Sequence, residues 1–232
     1  MKGIIFDFGG TLDTNGIHWS EKFYDAFRNV GIPLNKEEYN KAYCLAEPEV
    51  ENFIYSNTSF LEVLKTQIRL QTEYLSEFNK LFFFIKKSVL VQMVSEMCYK
   101  DVKNVVLTVK DLLRLLKENY RLGVISNFYG NLDYVLKELK LDSYFEVITD
   151  SGVTGYRKPD TRIFKDMISK FSVEPEELLI VGDSYFKDII PAKLIGCKTA
   201  WLDVKSWEEP EDYSKADYII HDLKDLKVLL EP

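Results

Sequence analysis

The chain has 232 residues, a net charge of −7, and 46% hydrophobic against 29% charged residues. That balance excludes disorder, collagen and coiled coil, and leaves room for one sizeable α/β domain or a core domain with a smaller accessory one. An acidic surface lacks the basic footprint that nucleic acid requires, but permits a local site for a small anion.

Taken in chain order, Gly3 to Phe8 is a short apolar run stopped by Gly9 and Gly10, as suits a buried strand. Residues 20 to about 100 carry helical spacing with few glycines. Phe23, Phe27 and Val30 share one face, Leu61, Leu64 and Ile68 another, and Val89, Met93 and Met97 continue the theme. Ser20 and Asn35 suit helix starts. Beyond residue 103 the pattern alternates. Helices are predicted at 109–119, 132–139, 160–171 and 187–194. Strands are predicted at 121–126, 145–149, 177–181, 198–202 and 217–220. Such alternation predicts βαβ units, here a three-layer Rossmann-like core with a parallel sheet. Residues 1–15 and 101–232 are expected to form this core, with 16–100 as an inserted all-helical domain.

Cysteine and histidine are sparse. Cys44, Cys98 and Cys197 are odd in number and widely spaced, so no disulfide framework is expected, and they suit small buried hydrophobes. With only His18 and His221, a His/Cys zinc site is not expected. No run reaches the ~18 apolar residues of a membrane span, and the apolar start is too short for a signal peptide. A cytoplasmic protein without a membrane partner is therefore expected.

Parallel sheets bind ligands at the carboxyl ends of their strands. Asp7, Phe8, Gly9, Gly10, Thr11, Leu12 and Asp13 follow the first predicted strand, and Ser126 and Asn127 end the second. Lys158 and Pro159 fall on a loop after the third, and Gly182, Asp183, Ser184 and Asp188 follow the fourth. Carboxylates, hydroxyls, glycines and a lysine thus gather at one sheet edge, a set suited to phosphoryl transfer. Two acids can hold Mg²⁺, and a third carboxylate can act as nucleophile. Backbone amides and a hydroxyl can hold phosphate oxygens, and a lysine can offset charge.

In order and position these segments resemble the haloacid dehalogenase (HAD) superfamily: Phe6-Asp7-Phe8-Gly9-Gly10-Thr11-Leu12-Asp13, then Val124-Ile125-Ser126-Asn127, then Lys158-Pro159, then Val181-Gly182-Asp183-Ser184 with Asp188. The resemblance covers the first strand and essentially all of residues 103–205. It implies a hydrolase, most readily a Mg²⁺-dependent phosphatase of the type with a helical cap, acting on a small phosphorylated molecule through a phospho-aspartate. It further implies Asp7 as nucleophile and Lys158 as its charge partner. Gly10, Thr11, Ser126, Asn127 and Lys158 would contact phosphate. Asp7, the Gly9 carbonyl, Asp183 and Asp188 would serve the metal.

One departure stands out. Most phosphatases of the family carry an acid–base aspartate two residues after the nucleophile, and here Gly9 occupies that place. A good leaving group, or an acid from elsewhere such as Asp13 or His18, would answer it, although His18 more readily suits a surface or hinge position. Alternatives on the same fold are a dehalogenase, a phosphonatase using a cap lysine such as Lys22, Lys36 or Lys41, and a phosphate-binding protein without turnover. Retention of Gly182, Asp183 and Asp188 favours a phosphorus substrate over an alkyl halide.

Overall fold

The computed structural model describes residues 1–230. Chain order begins with strand β1 (Gly3–Phe6) and a wide helical turn over Phe8–Leu12. Helices α1 (Trp19–Asn29), α2 (Lys36–Ala46), α3 (Phe60–Phe78) and α4 (Lys87–Lys117) follow without an intervening strand. The chain then alternates through β2 (Arg121–Ser126), α5 (Leu132–Glu138), β3 (Val147–Asp150), α6 (Ser151–Thr154), α7 (Thr161–Phe171), β4 (Leu178–Gly182), α8 (Ile190–Leu194), β5 (Lys198–Leu202), β6 (Tyr218–Ile220) and α9 (Asp225–Leu229).

The six strands form one sheet in the order β3-β2-β1-β4-β5-β6, every pair parallel. The three-layer α/β expectation holds. Strand periodicity divides the core. Ile4, Phe6, Leu122, Val124, Leu179 and Val181 face one apolar cluster, which continues into α1 to α5. Ile5, Ile125, Leu178 and Ile180 face another, closed by Ile163, Phe164, Met167 and Phe171 of α7. A strand buried on both faces reads as an unbroken apolar run, which is why β1 was legible.

The chain leaves β1, builds outward to β3, and then returns to the far side of β1 to lay down β4. The strand order therefore reverses beside β1, and a crevice opens there at the carboxyl ends.

The helical segment agrees with its spacing. Phe23, Ala26 and Phe27 of α1 are buried, and the Asn35 side chain caps α2 by accepting from the amides of Glu37 (2.9 Å) and Glu38 (3.1 Å). Two details differ. No glycine or proline falls between residues 87 and 117, so α4 runs as one 31-residue helix straight across residue 100. Its buried stripe is Leu90, Val94 and Cys98, while Val89 and Met93 stay about half exposed (45% and 49%). Apolar pairs at 89–90 and 93–94 allow either register, and packing chose the second. Cys44, expected inside, is exposed.

The segment between the Phe8–Leu12 turn and α1 is tied to the loop after β5. Ile17 bridges Lys205, with the His18 amide donating to the Lys205 carbonyl (3.0 Å) and the Lys205 amide to the Gly16 carbonyl (3.0 Å). Among the described residues no helix is long and apolar enough to cross a membrane.

Phe171 is fully buried between α7 and the sheet. Phe171→Ala is expected to destabilise the protein by about 3–5 kcal/mol, read from the urea midpoint.

Candidate active site

Asp7 is the first residue past β1, and its amide continues the sheet by donating to the Val181 carbonyl (2.8 Å). It is 3% exposed. Beyond it, Gly10 adopts a φ of +98°, and the Asp183 carboxyl carbon lies 2.6 Å from where a Cβ would stand, so only glycine fits. Asp13 secures this turn, accepting from the Gly10 amide (2.7 Å) and the Trp19 indole (2.8 Å). The Thr11 hydroxyl accepts from the Asp183 amide (3.0 Å) and donates to its carboxylate (3.3 Å). One turn thus fixes Asp7 and Asp183 together.

Lys158 arrives from the loop after α6. Its backbone is held on both sides by the Asn127 side chain, which accepts from the Lys158 amide (2.7 Å) and donates to its carbonyl (2.9 Å). The ammonium lies 2.5 Å from Asp7 and 2.5 Å from Asp188, with the lysine side chain 3% exposed. Asp188 also accepts from the Ser184 amide (3.1 Å). Asp7, Asp183 and Asp188 bring carboxylate oxygens within 4.8 Å of one another, all buried.

This crowding sets the electrostatics. Burial pushes the Asp7 carboxyl up to about 6, against the pull of Lys158 and with Asp188 adding to the rise. Burial, then Asp7 and Asp188, hold Asp183 well above the usual carboxylate range. Burial works against the charge on Lys158, but Asp188 and Asp7 outweigh it and hold the ammonium above the ordinary lysine range. One oxygen of Asp7, Oδ2, is buried without a hydrogen-bond partner. Such an orphaned acceptor beside two further carboxylates fits a hard cation.

A cavity of about 280 Å³ opens above this cluster. Asp7, Gly9, Ser126, Asn127, Lys158, Asp183 and Asp188 line it, so these expected residues come together. Gly10 and Thr11 do not line it. The Gly10 amide, expected at phosphate, is engaged by Asp13, and the Thr11 hydroxyl by Asp183. Asn127 reaches the cavity, but both ends of its amide hold the Lys158 backbone.

Much of the upper wall had no signal in the sequence. Trp19, Tyr43, Phe60 and Gln67 come from α1, α2 and α3, where apolar spacing marked only core. Arg157 and Lys187 are neighbours of motif residues, and that adjacency was the available clue. His18 also lines the cavity, with Nδ1 turned toward Ser20 (2.8 Å to Oγ, 3.2 Å to the amide). Burial, reinforced by Lys187, lowers its imidazole to about 4. Burial raises Asp13 to about 7, its two N–H donors opposing.

Lys158→Met would leave two buried carboxylates facing each other. A loss of about 3–5 kcal/mol is expected at neutral pH. Without the ammonium the folded-state carboxylate pKa rises further above 3.8, so folding takes up a proton. The deficit should therefore be largest at pH 8 and shrink toward pH 5, as read by thermal melts of wild type and variant.

The chain is similar to known proteins. The haloacid dehalogenase-like hydrolase family matches residues 4–202. A glyceraldehyde 3-phosphate phosphatase of Pyrococcus furiosus is 40% identical over 126 residues, which are 53% of this chain and 52% of that protein. The chain thus spans about half the length of that relative. A protein of the same name from Methanothermobacter thermautotrophicus is 26% identical over 99% of this chain and 100% of its own. Among solved structures, a HAD phosphatase of Thermococcus onnurineus is 25% identical with a TM-score of 0.55, covering 99% of this chain and 98% of that one. With most of its length matched and its relatives named as phosphatases, the chain belongs to the haloacid dehalogenase-like hydrolase family and stands beside the family's phosphatase-type members.

Proposed function

We propose that this protein is a Mg²⁺-dependent phosphatase that transfers phosphoryl groups from a small phosphorylated molecule to water through Asp7. The observation that carries the reading is the unpartnered Asp7 Oδ2, buried beside Asp183 and Asp188. Those three carboxylates, with the Gly9 carbonyl, would hold the ion. A bound Mg²⁺ would offset the carboxylate charge and draw phosphate oxygens into place.

The residues of the chain then divide the work. The Asp7 carboxylate attacks phosphorus, the bond to the departing oxygen breaks, and an aspartyl phosphate forms. Water cleaves that acyl phosphate and returns the carboxylate. Lys158 keeps Asp7 ionised and meets the negative charge gathered at phosphorus. Ser126, at the end of β2 and 2% exposed, faces the cavity and offers a hydroxyl to a phosphate oxygen. The helices of residues 16–100 act as a cap over a core of 1–15 and 101–232, excluding water and selecting substrate. A cavity of about 280 Å³ leaves room for a small phosphorylated molecule rather than a polymer. Three free cysteines fit a reducing, cytoplasmic setting.

The site weighs against the alternatives. Halide displacement needs no metal, whereas the buried Asp7, Asp183 and Asp188 together carry the donor chemistry of a cation site. The cap lysines do not line the cavity: Lys22 pairs with Asp101, Lys36 with Glu21, and Lys41 lies over the Phe78 ring. A phosphonatase Schiff base has no candidate there.

Hydrolysis of p-nitrophenyl phosphate is expected with Mg²⁺ and not with EDTA, and Asp7→Asn should lower it by at least about 10³-fold. Activity that survives EDTA, or an active Asp7→Asn protein, would remove this reading. Separately, Mg²⁺ should raise the melting temperature of the wild type and not of Asp183→Asn.

A further inference from the structure

We propose that the site is built for phosphate compounds whose departing group leaves as a stable anion, acyl and aryl phosphates, and disfavours alkyl phosphate esters; this rests on the phosphatase reading above. The argument is a census of proton donors around Asp7.

The turn offers none. Gly9 lines the cavity two residues beyond Asp7. Its φ of −78° and ψ of 113° are open to any residue, and a Cβ there would meet only the Trp19 ring, at 3.9 Å. Space and backbone would accept a side chain, yet none reaches over the nucleophile from this position. Asp13 is the next carboxyl along the turn. It is fully buried, each of its oxygens accepts an N–H, and it does not line the cavity.

The walls offer no better acid. His18 points Nδ1 at Ser20, and burial keeps the ring neutral, so it can donate a hydrogen bond but is a very weak acid. Burial raises the phenols of Tyr43 and Tyr129. Glu47 faces the Arg157 guanidinium at 3.8 Å. The Lys158 ammonium is shared between Asp7 and Asp188. What remains toward the opening is Arg157 and Lys187, two cations on the cavity wall. The Arg157 guanidinium does not deprotonate, and Lys187 is an exposed residue, so both serve chiefly to meet an arriving negative charge.

The bond changes then select the substrate. An Asp7 oxygen bonds to phosphorus, and the electron pair of the breaking P–O bond leaves with the departing oxygen. A carboxylate or phenolate departs without a proton. An alkoxide does not, and a positioned acid typically contributes ~10²–10⁴-fold. The second half-reaction obeys the same rule. Water attacks phosphorus and loses its proton to bulk solvent, and the Asp7 carboxylate leaves unprotonated.

The test compares kcat/KM for acetyl phosphate, phenyl phosphates of graded leaving-group acidity, and glyceraldehyde 3-phosphate, using the full chain with Mg²⁺. The expected result is a drop of at least about 10²-fold from acetyl phosphate to glyceraldehyde 3-phosphate, with a steep dependence across the phenyl series. Gly9→Asp should narrow the gap to within about tenfold by raising the alkyl ester. An alkyl ester already within about tenfold of acetyl phosphate in the wild type overturns the proposal but leaves the phosphatase reading standing. So does a gap left unchanged by a natively melting Gly9→Asp protein. Should that variant not fold, the phenyl series decides alone: a flat series overturns the proposal and a steep one supports it. Absence of turnover on every compound overturns the phosphatase reading and this proposal together.

Discussion

Three buried carboxylates bring oxygens within 4.8 Å of one another, and one buried ammonium lies 2.5 Å from two of them. Like charges so close and so buried would drive a carboxyl neutral or the chain apart unless cations and hydrogen bonds hold them. Much of the local architecture serves that constraint. Asn127 clasps the backbone of Lys158, Thr11 binds Asp183 from two directions, and the Trp201 indole holds the Asp183 carbonyl (2.9 Å). The members come from three separated segments, after β1, before α7 and after β4, and only the reversal of strand order beside β1 brings them to one crevice.

The sheet was legible because its strands are unbroken apolar runs ended by glycine or polar residues. The acids were legible because each follows such a run. What a chain pattern cannot carry is the direction of a hydrogen bond. Gly10, Thr11 and Asn127 stand where phosphate donors were expected, and their polar atoms turn instead to Asp13, Asp183 and Lys158. These bonds position the charged cluster. Helix registers were open for a different reason. Adjacent apolar residues in α4 permit two buried stripes, and only packing against α1 and α3 distinguishes them.

The helical segment and the α/β region meet through polar contacts as well as apolar ones. Glu138 of α5 accepts from the Phe60 amide (2.7 Å) and the Tyr99 hydroxyl (2.6 Å). Gln67 donates to the Tyr129 hydroxyl (2.9 Å), and the Asn131 amide to the Thr58 carbonyl (2.9 Å). Net, each such bond contributes about 1 kcal/mol, so this seam is held by several modest ties rather than one strong one. These ties add to the apolar cluster that continues from the sheet into α1 to α5.

The parallel bridge between Ile17 and Lys205 has a mechanical consequence on the opposite side. Residues Gly16 to His18 are fastened to the loop after β5, and α1 begins at Trp19. The connection into the helices therefore has no slack, since each ordered residue gives up about 1–2 kcal/mol of backbone freedom and can no longer act as loose tether. Any swing of the helices on this side pivots immediately after His18. The His18 ring, however, reaches forward to Ser20 of α1, so this one residue joins the two sides, by its backbone to the loop after β5 and by its imidazole to the helix.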